Sequence, residues 1–297
     1  MKIRPFLYIS LVVDVVIATS KFIAAGLTGS SSMLSEGVHS VIDAVSQLLL
    51  IWGVKISNKR PDALRPFGYG RELYFWSFIV SLIFFLMGGC ISFYEGILRF
   101  RRPEISGDGT WNYLILALSL IFTSVSMVSA LRAFNHQRGD QTFWKAVTQS
   151  KDPSTFIVLL GDVGDVISLV VAFLGVYLQH RFRNVYYDAG ASVIIGIILG
   201  LISLVLVRES KSLLMGEPIG RKTMLAIIRL IEQDHSIIRV KKHYSTYMAP
   251  EEVVLQINAI FKDGLTTEDI ADAIRRVANA VQLQYPRIKQ IFIEPVL

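Results

Sequence analysis

The sequence predicts a membrane α-helical bundle of six transmembrane helices followed by a small α+β domain in αββαβ order, and three observations carry that prediction. Composition comes first: 52% of the 297 residues are apolar and 18% are charged, against roughly 45–50% and 25% in an ordinary soluble domain. The second is the length of the apolar runs, and the third is a change of periodicity after Gly216. Together they divide the chain into a transmembrane domain at 1–215 and a C-terminal domain at 216–297.

A helix needs about 20 apolar residues to cross a hydrocarbon layer of about 30 Å, and six windows qualify: 6–27, 33–54, 73–94, 111–131, 155–178 and 189–207. The breaks between them are polar or carry Gly and Pro, most clearly 58–70 with Pro61 and Pro66. Lys2 and Arg4 precede an apolar stretch, as in a signal peptide, but Asp14 and Lys21 interrupt it and no small-residue cleavage pattern follows. The first window is therefore read as a span. Orientation follows from the basic residues. Lys2, Arg4, Lys55, Lys59, Arg60, Arg65, Arg71, Arg132, Arg138, Lys145, Lys151, Arg208 and Lys211 fall on one side, and Arg99, Arg101, Arg102, Arg181 and Arg183 on the other. Thirteen against five puts both termini in the cytosol, and a bacterial inner membrane is the expected location. The net charge of +6 and pI near 9.4 serve topology and anionic headgroups rather than nucleic acid. The single cysteine, Cys90, lies in an apolar run and builds neither a disulfide framework nor a Cys-rich metal site.

After Gly216 an amphipathic helix is expected at 221–233, strands at 237–247 and 253–261, a helix from Thr266 to about residue 283 with Glu268 behind its cap, and a last strand at 288–293. Such a domain buries little core, so pairing with a second copy is expected, through the tail and through membrane helices as well.

Ionisable residues inside the spans carry the chemistry, because each costs about 2.5–3.5 kcal/mol on insertion scales. The second span holds Glu36, His39 and Asp43, which at 100° per residue lie within about 60° of one another. The fifth holds Asp162 and Asp165, one turn apart. Acids this close repel unless a cation or a shared proton lies between them. One imidazole and several carboxylates suit Zn²⁺, Mn²⁺, Fe²⁺ or Co²⁺, and protons compete for the same groups. Hydrogen bonding between helices is the plainer reading of all five. Glu36, near a helix end, reads equally as an interfacial residue, and Asp14 and Lys21 read as a structural pair or as end-snorkelling side chains. No HExxH or GxxxxGK[ST] pattern occurs, which speaks against a metalloprotease-like enzyme and against direct ATP drive.

The segment Gly29-Ser30-Ser31-Ser32-Met33-Leu34-Ser35-Glu36-Gly37-Val38-His39-Ser40-Val41-Ile42-Asp43 resembles the HxxxD metal segment of the cation diffusion facilitator family. Pro66-Phe67-Gly68-Tyr69-Gly70-Arg71 is similar to its cytosolic loop, Tyr94-Glu95-Gly96-Ile97 with Pro103 to the end of its third helix, and the αββαβ tail to its ferredoxin-like, metallochaperone-like dimerising domain. The resemblance covers nearly the whole chain. It implies a proton-coupled antiporter, not an enzyme, that exports a divalent metal by alternating access, with zinc first and Mn, Fe or Co as alternatives. It implies no organic cofactor, a homodimer in the lipid bilayer, and a metal site formed by His39, Asp43 and Asp162. Val158 stands where the fifth helix of the family has a histidine, and Asp165 is positioned to replace it, as in a divergent branch that includes a mitochondrial zinc transporter. The alternative is a non-transporting partner or scaffold whose site has decayed. In the loop Arg65 and Tyr69 stand at positions of family histidines, leaving Asp62 without obvious partners and no metal expected there. In the tail Asn258 and Glu294 replace histidines of zinc-binding members, and His235 and His243 remain. Arg71 is expected to pair with Glu217, and Gly161, Gly164, Gly196 and Gly200 to let the fifth and sixth helices approach closely.

Overall fold

The computed structural model describes residues 5–28, 31–101, 109–138 and 142–296, without the side chains of 27–28, 31–36, 109–112, 137 and 149. Lys2, Arg4, Arg102 and Pro103 lie outside the described residues. The chain divides into two compact units, one made of 2–56 and 72–211 and the other of 57–71 with 212–297.

In the first unit six helices among the described residues are long and apolar enough to cross a membrane: Pro5–Gly26, Gly37–Ser57, Arg71–Arg101, Tyr113–His136, Pro153–Phe182 and Tyr186–Met215. They belong to α1 (Pro5–Thr28), α2 (Ser31–Ser57), α3 with α4 (Arg71–Ile83 and Ser92–Arg101), α5 (Gly109–Arg138), α7 (Pro153–Phe182) and α8 (Tyr186–Met215). A short helix, α6 (Phe143–Gln149), occupies part of the break between the fourth and fifth windows. Helix α7 starts at Pro153, whose missing N–H costs nothing there. Asp152 accepts bonds from Ser154 Oγ at 2.6 Å and Thr155 Oγ1 at 3.1 Å. Its far end is closed by Arg183 in the left-handed region at φ 51°.

The third span departs from expectation. It continues past residue 94 to Arg101, because Arg99, counted above as a loop residue, donates to Asp188 in the first turn of α8 at 2.9 Å and to Ser192 Oγ at 3.4 Å. Between α3 and α4 the coil widens into a π-helical segment, Phe84–Ile91, an uncommon and costly geometry concentrated at functional sites. Gly89 lies there against Gly200 of α8, and a Cβ on it would stand 2.8 Å from the Gly200 Cα. The close approach therefore joins the third span to α8. At Gly164 a Cβ would meet the Leu199 and Ile202 methyls at 3.1 Å, and at Gly161 only the Phe84 ring at 3.6 Å.

The second unit contains α9 (Arg221–Ile231), β1 (Ile237–Ala249), β2 (Glu252–Phe261), α10 (Thr267–Gln284) and β3 (Ile288–Pro295). The sheet order is β1-β2-β3, with β2 antiparallel to β1 and parallel to β3. Along β2 alternate residues Val253, Leu255, Ile257, Ala259 and Phe261 are buried, and they share a core with Met224, Ile227 and Ile231 of α9 and Ala273, Val277 and Val281 of α10. Thr266 caps α10 as expected, but the reciprocal partner in the box is Asp269 rather than Glu268. Thr266 holds the Asp269 carboxyl below the usual carboxylate range.

The loop 57–71 packs within this unit. Gly70 lies against the β1 end, where a Cβ would stand 2.5 Å from Met248 O, and Arg71 donates to Thr246 Oγ1 at 3.4 Å. Asp62 is not without partners. It accepts from the Leu64 and Arg65 amides at 3.0 and 2.8 Å and from Tyr69 Oη at 2.6 Å. The Tyr69 bond, followed by that of Arg65, holds its carboxyl below its ordinary range. Tyr69 thus satisfies the acid from inside the loop.

Candidate functional site

A cavity of about 360 Å³ lies inside the membrane unit, lined by residues of α1, α2, the π segment, α4, α5, α7 and α8. Each wall is an apolar helix interrupted at helical spacing by polar groups. Helix α2 contributes His39 and Asp43, one turn apart on one face. Helix α7 contributes Asp165 and, one turn later, Ser168, whose buried hydroxyl has no hydrogen-bond partner among the described residues. The wide turn of the third span contributes Met87 and Ile91.

His39, Asp43 and Asp165 therefore face one space. Asp162 is treated differently. It is 5% exposed, lies outside the cavity lining and accepts a 2.7 Å bond from the buried Ser126 of α5. It remains close enough to Asp43 and Asp165 for their charges to act on it. Glu36 lies on α2 in the stretch whose side chains are outside the described residues. Among the described residues no three of these groups converge closely enough to hold one ion together. The arrangement is a set of ligands around a chamber rather than a closed coordination sphere.

Sequence reasoning missed two contributors on α1. Asp14 and Lys21 both line the cavity. Asp14 experiences the charges of Asp43, Asp162 and Asp165, and the Lys21 ammonium donates to Ser40 Oγ at 3.0 Å. Their spacing of seven residues, two helical turns, puts both on one face of α1, which was the available signal. The pair reads from sequence as structural or as end-snorkelling side chains; in the structure both line the chamber, and the Lys21 charge acts on Asp14.

Asp43 and Asp165 each sit about three turns inside their helices, so the acidic groups are deep in the unit. The same cavity extends to Glu95, Arg99, Asp188 and Ser192, where α4 ends and α8 begins. The accessory positions in the second unit find neighbours within it, although the buried Asn258 Oδ1 has no hydrogen-bond partner among the described residues. Asn258 Nδ2 donates to Glu294 Oε2 at 2.8 Å across the β2–β3 register, and His235, 79% exposed, stands 3.8 Å from Asp234.

A family model described as the cation efflux transmembrane domain matches residues 7–215. The proton-coupled zinc antiporter SLC30A9, mitochondrial, of Mus musculus is 33% identical over 219 residues, which cover 73% of this chain and 39% of that protein. The manganese efflux system protein MneP of Bacillus subtilis (strain 168) is 25% identical over 301 residues, 98% of this chain and 94% of that protein. Magnetosome protein MamB of Magnetospira sp. (strain QH-2) is 25% identical over 283 residues, 94% and 90% of the two chains. The chain thus spans about two fifths of the length of the mouse relative and nearly all of the two bacterial ones.

Proposed function

Because this chain belongs to the cation efflux family, the cation diffusion facilitators, we propose that it is a proton-coupled antiporter exporting a divalent transition-metal cation from the cytosol by alternating access. The observation that carries the reading is the facing of His39, Asp43 and Asp165 into one chamber deep in the family's transmembrane domain. Zinc is the first cargo to test, supported by the name of the mouse relative. Manganese follows, supported by the Bacillus relative and by a ligand set of one nitrogen and mostly oxygens, harder than a typical zinc site. Iron and cobalt complete the set.

The mechanism follows from competition. A carboxylate or imidazole that takes a proton cannot hold a metal ion, so proton arrival from one side lowers metal affinity and metal arrival displaces protons. Asp162, Asp165, His39 and Asp43 are the groups assigned to this exchange, with Glu36 as a further candidate. Rocking of the helices that carry these groups, α2 and α7, would bring the ligands together around the ion and then open the chamber. The basic residues put the helix ends at Arg99 and Asp188 on the side away from the cytosol, which makes that arm of the cavity the exit. The chain would act as a homodimer in a bacterial plasma membrane.

Uptake into proteoliposomes under an imposed pH gradient, with Zn²⁺, Mn²⁺, Fe²⁺ and Co²⁺ compared, tests the reading. At least one ion should move, faster with the gradient than without it, and Asp162→Ala and Asp165→Ala should both abolish that movement. If no ion moves, the carrier reading fails. A second reading, a non-transporting partner, is favoured by Val158, an apolar side chain 1% exposed where the family has a ligand. It requires that the purified chain bind none of the four ions.

A further inference from the structure

Helix α1 carries a lysine that the exchange mechanism does not use. Lys21 lies within the span Pro5–Gly26 and is 7% exposed. A snorkelling lysine would run its stem along apolar surface and deliver its ammonium to the headgroups. Lys21 instead lines the chamber with His39, Asp43 and Asp165, and its ammonium is held 3.0 Å from the hydroxyl of Ser40, the neighbour of His39. Its charge reaches both Asp14 and Asp165.

Charge balance gives this placement a consequence. The deep part of the chamber is lined by three carboxylates, Asp14, Asp43 and Asp165, and by one ammonium. Fully ionised, they leave two negative charges, the complement of one divalent cation. Without the ammonium three carboxylates would face a doubly charged ion at low dielectric, where attraction is strong. A carrier must bind its cargo well enough to load it and weakly enough to release it. A fixed positive charge beside the site favours release.

We propose that Lys21 is a resident counter-ion of the transport chamber. In the metal-free state its ammonium neutralises part of the acidic charge, and in the loaded state it repels the ion and keeps the site releasable. Lys21 is thus a positioning and affinity-setting residue rather than a ligand, acting through its charge rather than its hydrogen bond. The proposal rests on the carrier reading above.

The test measures Mn²⁺ and Zn²⁺ dissociation constants of the detergent-purified chain by calorimetry, beside KM and turnover in proteoliposomes. Lys21→Gln keeps a donor for Ser40 and removes the charge, Lys21→Met removes both, and Lys21→Arg keeps the charge. The glutamine and methionine variants should each bind the transported ion at least about tenfold more tightly, about 1.4 kcal/mol, with lower KM and lower turnover. Lys21→Arg should stay within about threefold of the native dissociation constant. Lys21→Gln, read against Lys21→Arg, suffices for the comparison if Lys21→Met fails to fold. A native dissociation constant in Lys21→Gln overturns the proposal, and so does an effect confined to Lys21→Met, which would assign the role to the hydrogen bond. Failure of the native chain to bind or move any ion removes the carrier reading and this inference with it. Native transport with an unaltered Lys21→Gln removes this inference alone.

Discussion

Asp165 in the membrane unit and Asp234 in the second unit are both largely withdrawn from water, yet their surroundings differ in kind. Asp234 receives a two-pronged bond from the Arg276 guanidinium, both contacts at 3.2 Å, and a third from the Ser236 amide at 2.9 Å. Burial alone would push its carboxyl up, but Arg276, the Ser236 amide and His235 together hold it below the ordinary range. Asp165 faces another acid, Asp43, with the His39 imidazole and the Lys21 ammonium near it. The second unit completes its charges from its own sequence, as Arg287 with Glu251 and Arg275 with Asp272 also illustrate. In the membrane unit the chamber acids Asp14, Asp43 and Asp165 instead gather around one cavity, close enough for their like charges to act on one another. Acids of the first kind serve stability; under the proposed function, those of the second kind serve binding at the expense of stability.

The sharpest way to break this contrast is to neutralise one acid of each kind. Asp165→Asn removes a candidate ligand and relieves like-charge repulsion. Its metal affinity should fall by at least about 100-fold, the upper end of what loss of a supporting residue costs. Its melting temperature in detergent should stay level or rise. A variant that melts earlier while its affinity is kept would place Asp165 among the structural acids and dissolve the comparison.

How much of this was readable in the sequence depended on the distance over which each feature is determined. The six spans and the αββαβ order follow from runs and alternations of a few turns or strands, and Thr266 announces its helix within four residues. His39 and Asp43 share a face by spacing alone. The extension of the third span to Arg101 depends on Asp188, 89 residues away, so local charge read as a loop. Lys21 and Asp14 were visible as costly residues, but the side of α1 that meets the chamber is fixed by packing against α5 and α2. The pairing of Asp162 with Ser126, and its place behind Asp165 rather than in the lining, likewise depends on how α5 meets α7. The side chains at 69, 258 and 294 were legible only as departures from the pattern the sequence resembles. Their hydrogen bonds to Asp62 and to each other needed coordinates.

Asp234→Asn is the counterpart from the second unit. Weakening its bonds to Arg276, itself 46% exposed, and to Ser236 should cost about 0.5–1.5 kcal/mol, leaving metal affinity unchanged. Acid gives the same readout without mutation. The folded carboxyl lies below the unfolded value of 3.8, so its contribution is complete above that value and is lost as pH falls through the lower folded one. Hydrogen exchange of the intact chain should therefore show the segment 234–236 and α10 opening below about pH 3.8, and the asparagine variant should lack that pH-dependent contribution. Opening that begins near neutral pH would mean that the second unit too depends on acids left incomplete.

The smallest expected effect comes from Arg287 and Glu251, which pair at 2.9 Å with side chains 61% and 62% exposed. Their geometry is as short as that of Arg99 with Asp188, but water screens both partners and holding two long side chains costs entropy, so such pairs contribute about 0–1 kcal/mol. Arg287→Ala should shift exchange in β2 and β3 by no more than that and leave transport unaltered. The pair sits where β2 and β3 begin their parallel register, with the Val253 amide bonded to the Arg287 carbonyl at 2.8 Å. That backbone bond survives the substitution. A larger loss would show that the side-chain pair, and not the buried alternation of Val253, Leu255 and Ile257, holds the register.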